Sequence, residues 1–168
     1  MSKQALTNVS GRWFVTDEKV IQQGLDQSRE SPRRRMILPI HRRQDSPVQR
    51  MLNFLQPETY IRPHMHPREG AVESICLLQG AIRFFVFDEN GTPTLSTYFE
   101  AGSPSSVIDI EPKVWHSFVV LKSDTVIFET KMGPYDENLD KTFAGWAPDE
   151  DSDEVPSWID HHKSDIYG

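Results

Sequence analysis

Between Val48 and Lys131 the chain alternates short runs rich in apolar residues with turn residues, and this punctuation constrains its fold more than any other feature. Runs bounded by Gly, Pro, Asn or Asp read as strands, and they fall at Val48–Leu55, Thr59–His66, Ala71–Gln79, Ile82–Asp88, Thr94–Phe99, Ser106–Ile110, His116–Leu121 and Thr125–Lys131. Within DENGTP, Asn90-Gly91 is a strong hairpin signal, because a tight two-residue turn needs residues that tolerate positive φ. Strands at this spacing predict an all-β fold, either a barrel or a double-sheet jelly roll.

The flanks differ from this centre. Thr16 is placed to cap a short helix from about Asp17 to Gln27, with Val20, Ile21 and Leu25 at helical spacing. The expected organisation is an N-terminal helix and basic arm over residues 1–46, a β-barrel over 47–132 and an acidic C-terminal tail over 133–168. The tail is short, Pro-rich and irregular with one or two helical turns, and 168 residues suffice for one domain.

Charge is distributed unevenly within a net −7. From Asp136 onward ten acids face two lysines, whereas Arg29 to Arg50 holds seven arginines against Glu30 and Asp45. A basic stretch in an acidic chain, without interleaved aromatics, points to a small anionic ligand or solvation rather than to nucleic acid. No apolar run approaches the roughly 18 residues of a membrane span, and the N-terminus lacks a signal-peptide pattern, so the expected address is the cytoplasm. Cys76 stands alone in SICLLQ, which excludes an intrachain disulfide and suggests a buried small hydrophobe.

The chemistry concentrates in TYIRPHMHPREGAVESICLLQG, Thr59 to Gly80. Alternate side chains of a strand share a face, so His64 and His66 point the same way and can reach one metal ion. The same parity adds Tyr60 and Arg62. Glu73 leads a row continued by Ile75 and Leu77, and His116 leads one continued by Phe118 and Val120, so each places a polar group at the head of an apolar inward row. Three imidazoles and a carboxylate suit one divalent transition metal ion, Zn, Fe, Mn, Ni or Cu, rather than Ca or Mg. Gln49 and Asn53 share parity on the preceding strand and face either the site or solvent. Arg35, His41 and Arg50 belong to the arm and are placed to close over the barrel mouth, although parity does not orient Arg50. Trp115 is read as an apolar rim or core residue, and His161 and His162 as solvated.

HMHPREGAVESICLLQG resembles the first cupin motif and IEPKVWHSF the second, and SPRRR, DSPVQRMLNFLQPETYIRPHMHP, VWHSFVVL and GPYDENLDKTFAGWAP resemble the WbuC family of cupin-fold metalloproteins. The resemblance spans Ser31 to Pro148. It implies a double-stranded β-helix, metal ligands at His64, His66, Glu73 and His116, and an association with O-antigen or polysaccharide biosynthesis, and it carries no assigned reaction. Three departures from the broad cupin pattern stand out. Six residues separate His66 from Glu73, which makes Glu69 a rival ligand; Glu111-Pro112-Lys113 lacks the usual glycine; and Val120 stands where an Asn often follows.

The expected function is a metal-dependent isomerase, lyase or oxygenase acting on a small anionic or sugar-derived molecule. In that reading Tyr60 is an acid/base, while Arg62, Arg35, His41, Gln49, Arg50 and Asn53 hold the ligand. The alternatives are a non-catalytic metal-centred binding module and, more weakly, a metal-free sugar epimerase using a His–Asp pair. The N-terminal arm suggests a homodimer or higher homo-oligomer.

Overall fold

Asp17, rather than Thr16, opens the first helix: its carboxylate accepts the Val20 N–H at 2.9 Å, and α1 runs Glu18–Glu30. The computed structural model describes residues 5–164. After α1 come β1 (Arg35–Pro39), β2 (Val48–Leu55), β3 (His64–Met65), β4 (Glu73–Gln79), β5 (Ala81–Phe87), β6 (Pro93–Glu100), β7 (Val107–Ile110), β8 (Trp115–Val120) and β9 (Thr125–Met132). Then follow α2 (Glu137–Asp140), β10 (Thr142–Phe143) and α3 (Val155–Lys163). The strands form two antiparallel sheets, in the orders β1-β2-β9-β4-β7 and β10-β3-β8-β5-β6. This is the all-β jelly roll expected from the punctuation.

A core of Leu55, Ile75, Leu77, Ile127, Ile82, Phe84 and Phe118 draws on both sheets. A second cluster pins α1 to the outer face of the first sheet through Leu25, Leu38, Leu52 and Phe54. Gly24 is what lets the helix approach: a Cβ there would lie 2.3 Å from carbons of the fully buried Phe54 ring. Helix propensity favours Gly24→Ala by about 1 kcal/mol, whereas overpacking a fixed ring costs about 1–3 kcal/mol. Packing wins. Urea unfolding of Gly24→Ala should therefore show a net loss of up to about 2 kcal/mol, and a stabilised variant would show that α1 is not clamped on Phe54.

Three features differ from the sequence reading. The strand expected over Thr59–His66 is reduced to His64–Met65. Pro63 cannot donate to a ladder, and side chains take over the preceding carbonyls: Arg35 donates to Tyr60 O at 2.5 Å and Ser117 to Ile61 O at 2.5 Å. His162 is buried, not solvated. It stacks on Trp158 at 3.8 Å and meets Phe85 edge-on at 5.1 Å, so α3 covers the cluster of Phe85, Phe87 and Val119, and burial pushes the His162 pKa down. His161 is exposed. Cys76 is only half-buried, because it alternates with the inward Ile75 and Leu77. Trp115 packs against this cluster beside Trp146. Among the described residues no helix is long and apolar enough to cross a membrane.

Candidate metal centre

β3 pairs with β8 so that His64 lies opposite His116, and the β4 end brings Glu73 to them from the other sheet. His64, His66, Glu73 and His116 are all buried, and one donor atom from each lies within 4.8 Å of the others. Every imidazole is oriented by its second nitrogen. His64 Nδ1–H donates to Arg62 O at 2.9 Å, His66 Nδ1–H to Asp140 O at 2.6 Å and His116 Nδ1–H to Val114 O at 2.8 Å. A carbonyl only accepts, so each ring in its neutral form turns a lone pair on Nε2 inward.

Those lone pairs meet another acceptor. Glu73 Oε2 lies 3.0 Å from His66 Nε2 and 3.1 Å from His116 Nε2, while His64 Nε2 is buried with no protein partner. Burial pushes His64 well below the ordinary imidazole range, aided by Lys141 and His116, so its Nε2 stays a base. Burial alone would raise Glu73, yet a proton on His116 or His66 Nε2, donated to Glu73, outweighs it and holds the carboxyl well below the ordinary carboxylate range; a cation between them would take that proton's place. Converging acceptors with an orphaned base among them fit a cation in their midst. Glu69 is exposed and outside the cluster. Lys113 adopts φ 65°, the left-handed conformation usually left to glycine, and its N–H donates to His66 O at 2.9 Å.

His64, Glu73 and His116 of the cluster lie in the wall of a cavity of about 370 Å³, with Ile37, Met51, Phe118 and Ile127 among its apolar lining. Arg35, His41, Gln49, Asn53 and Arg62 also line it; Tyr60 and Arg50 do not. Tyr60 turns to the C-terminal segment, donating to Pro148 O at 2.8 Å and packing edge-on to Trp158, and burial raises its pKa. Without a strand before His64, parity does not carry Tyr60 inward. Arg50 is exposed. Gln49 donates to Gln44 O and Ser46 O at 3.1 and 3.0 Å. Asn53 donates to Glu129 at 2.9 Å.

The arginines on the wall are already engaged by the segment before α3. Arg62 pairs with Asp149 and donates to Ala144 O at 2.9 Å, and Arg33 and Arg35 share Glu150 at 2.9 and 2.5 Å. Burial lowers Arg35 to about 10. The sequence reading omitted Glu129 and Lys131, which line the cavity from β9. Burial and the adjacent Glu73 carboxylate raise Glu129 to about 7, whereas Lys131 is neutralised by Asp140 at 2.7 Å.

Comparison with known proteins adds the fold. A family model described as a domain of unknown function (DUF6016) matches residues 16–98, and no curated protein matches. An uncharacterised conserved protein with a double-stranded β-helix domain from Klebsiella pneumoniae subsp. pneumoniae is 16% identical, with a TM-score of 0.54 over 80% of this chain and 98% of that one. Oxalate decarboxylase from Bacillus subtilis is 15% identical, with a TM-score of 0.50 over 65% of this chain and 27% of that one. This chain thus spans about a quarter of the length of the oxalate decarboxylases it matches, at 27% of each. Identities this low speak to fold alone, and they agree with the sheet orders: the chain has the double-stranded β-helix fold of the cupins.

Proposed function

We propose that the chain holds one divalent transition metal ion on His64, His66, Glu73 and His116, and that the surrounding cavity takes a small anionic or sugar-derived molecule. The observation that carries this reading is the convergence of four buried donor atoms within 4.8 Å, with His64 Nε2 otherwise unpaired. The donor set suits Zn, Fe, Mn or Ni. When bound, such an ion supplies a Lewis acid toward a ligand oxygen. The cavity size falls in the range of small-molecule sites, and its wall combines apolar residues with charged groups of both signs.

The protein's own residues then divide the work. Arg62 and Arg35 offer positive charge to an anion, and Glu129, on the cavity wall, is a carboxyl group placed to hold or move a proton. Tyr60 is committed to Pro148 O, which favours Glu129 for that role. An isomerase, lyase or oxygenase on a sugar acid fits this arrangement, and the resemblance to the WbuC family supports a setting in polysaccharide biosynthesis. A non-catalytic module would use the same cavity, and a metabolite screen with mass readout separates the two by turnover.

Elemental analysis of purified wild type should find close to one transition metal ion per chain, and His64→Ala/His66→Ala should lose nearly all of it. The double variant removes two of the four ligands. Metal retained undiminished would defeat the assignment.

A further inference from the structure

With His64 Nε2 assigned to the metal centre, two buried nitrogens on the cavity wall still lack a partner: Arg62 Nε and His41 Nε2. Buried polar atoms in folded proteins are nearly always paired, so such atoms call for a partner from outside the chain. Arg62 Nε is a donor in every state. For His41 the backbone decides.

β1 ends at Pro39, and the Arg50 carbonyl beside that end accepts the Ile40 and His41 N–H groups at 2.7 and 3.2 Å. The Arg50 N–H faces the same side of its strand as its carbonyl, where the ladder has stopped and the Ile40 carbonyl is taken by the Arg42 guanidinium. His41 Nδ1 lies 2.9 Å from the Arg50 carbonyl and 3.1 Å from Arg50 N; the carbonyl already accepts two N–H groups, one for each lone pair, so the need left over is that of the Arg50 N–H for an acceptor, and Nδ1 fills it. With Nδ1 accepting, the ring proton sits on Nε2. His41 is only 2% exposed, so this N–H has no bulk water to satisfy it. Both leftover nitrogens are therefore donors, and what they lack is an acceptor.

We propose that His41 binds an oxyanion group of the ligand, a carboxylate or a phosphate, through Nε2–H at the β1–β2 end of the cavity. The inference rests on the reading of the cavity as a ligand chamber and adds a second pole to it. β1 and β4 are separated by β2 and β9, so His41 stands on the order of 14 Å along the sheet from the Glu73 end. A ligand reaching both poles is longer than a bare two-carbon diacid; a sugar acid or sugar phosphate has that reach. Arg35 and Arg33 on the same wall supply complementary charge, since the two guanidinium groups share the single carboxylate of Glu150.

Calorimetric titration of metal-loaded protein with glucuronate, inorganic phosphate and neutral glucose tests the proposal. One of the two anions should bind wild type more tightly than glucose. His41→Phe, which keeps a ring but no nitrogen, should weaken that binding about tenfold or more, and His41→Gln, which keeps an N–H donor, should recover part of it. Nitrogen-15 NMR of the wild-type imidazole gives a readout independent of variant folding: Nε2 should carry the proton, and its resonance should move when the anion is added. Wild type that binds neither anion, a folded His41→Phe that binds as tightly as wild type, or an unmoved Nε2 resonance overturns the proposal. Metal content in the same samples keeps the two readings apart. Protein that takes up no ion, yet loses anion binding on substitution of His41, supports the His41 assignment and defeats the metal reading.

Discussion

Removing the metal with a chelator is expected to lower the melting temperature by roughly 8–16 °C, the largest single effect on this chain. An ion that binds the folded state alone contributes about 4 kcal/mol when present at a thousand times its dissociation constant. For a chain of this size each kcal/mol moves the melting temperature by roughly 2–4 °C. The local reason is electrostatic. Stripped of the ion, His64 Nε2 is a buried base without a partner, and Glu73 Oε2 faces His66 and His116 at 3.0 and 3.1 Å with a lone pair on each neutral ring. Differential scanning calorimetry before and after chelation, with the metal added back, measures it. The His64→Ala/His66→Ala variant should melt at one temperature whether or not metal is supplied. A wild type indifferent to chelation would mean that the ion does not belong to the folded core.

The four residues of the candidate centre were legible in the sequence because of strand parity. His64 lies in β3 and His66 just past its end, while Glu73 heads an inward apolar row in β4 and His116 one in β8. The same rule failed at Tyr60 for a physical reason: parity needs a strand, and Pro63 ends the ladder before it, whereas Arg62 does reach the cavity wall. Glu129 and Lys131 were missed although the rule would have found them, since they continue the inward row of Ile127 in TVIFETKM. A strand ending in alternating charges reads as solvated unless the neighbouring carboxylate is already known to lie beside it. The tail was read from its charge, which hid the apolar face of α3 formed by Trp158, Ile159 and His162. The orphaned donor on His41 depends on where β1 stops, and no sequence pattern marks that point.

Gly80 closes the stretch that carries Glu73, and its replacement should be among the costliest single changes outside the ligands. It links β4 to β5 at φ 79°, a left-handed conformation in which a Cβ is strained. Space forbids the Cβ as well: it would lie 2.2 Å from Thr125 Oγ1 and 2.8 Å from the Thr125 backbone Cα. Neither atom can easily retreat. Thr125 is fully buried at the start of β9, and its hydroxyl donates to Lys122 O at 2.7 Å and accepts the Ala81 N–H at 3.2 Å. Backbone strain of about 1–3 kcal/mol and overpacking of similar size should bring Gly80→Ala to a loss of about 2–6 kcal/mol. Urea unfolding gives the loss directly. Metal content of the fraction that remains folded should match wild type, because Gly80 lies at the opposite end of β4 from Glu73 and the damage falls on the β4–β5 turn. A Gly80→Ala protein as stable as wild type would show that the turn and Thr125 can separate without cost, and with that the argument for a fixed β4 register would fall.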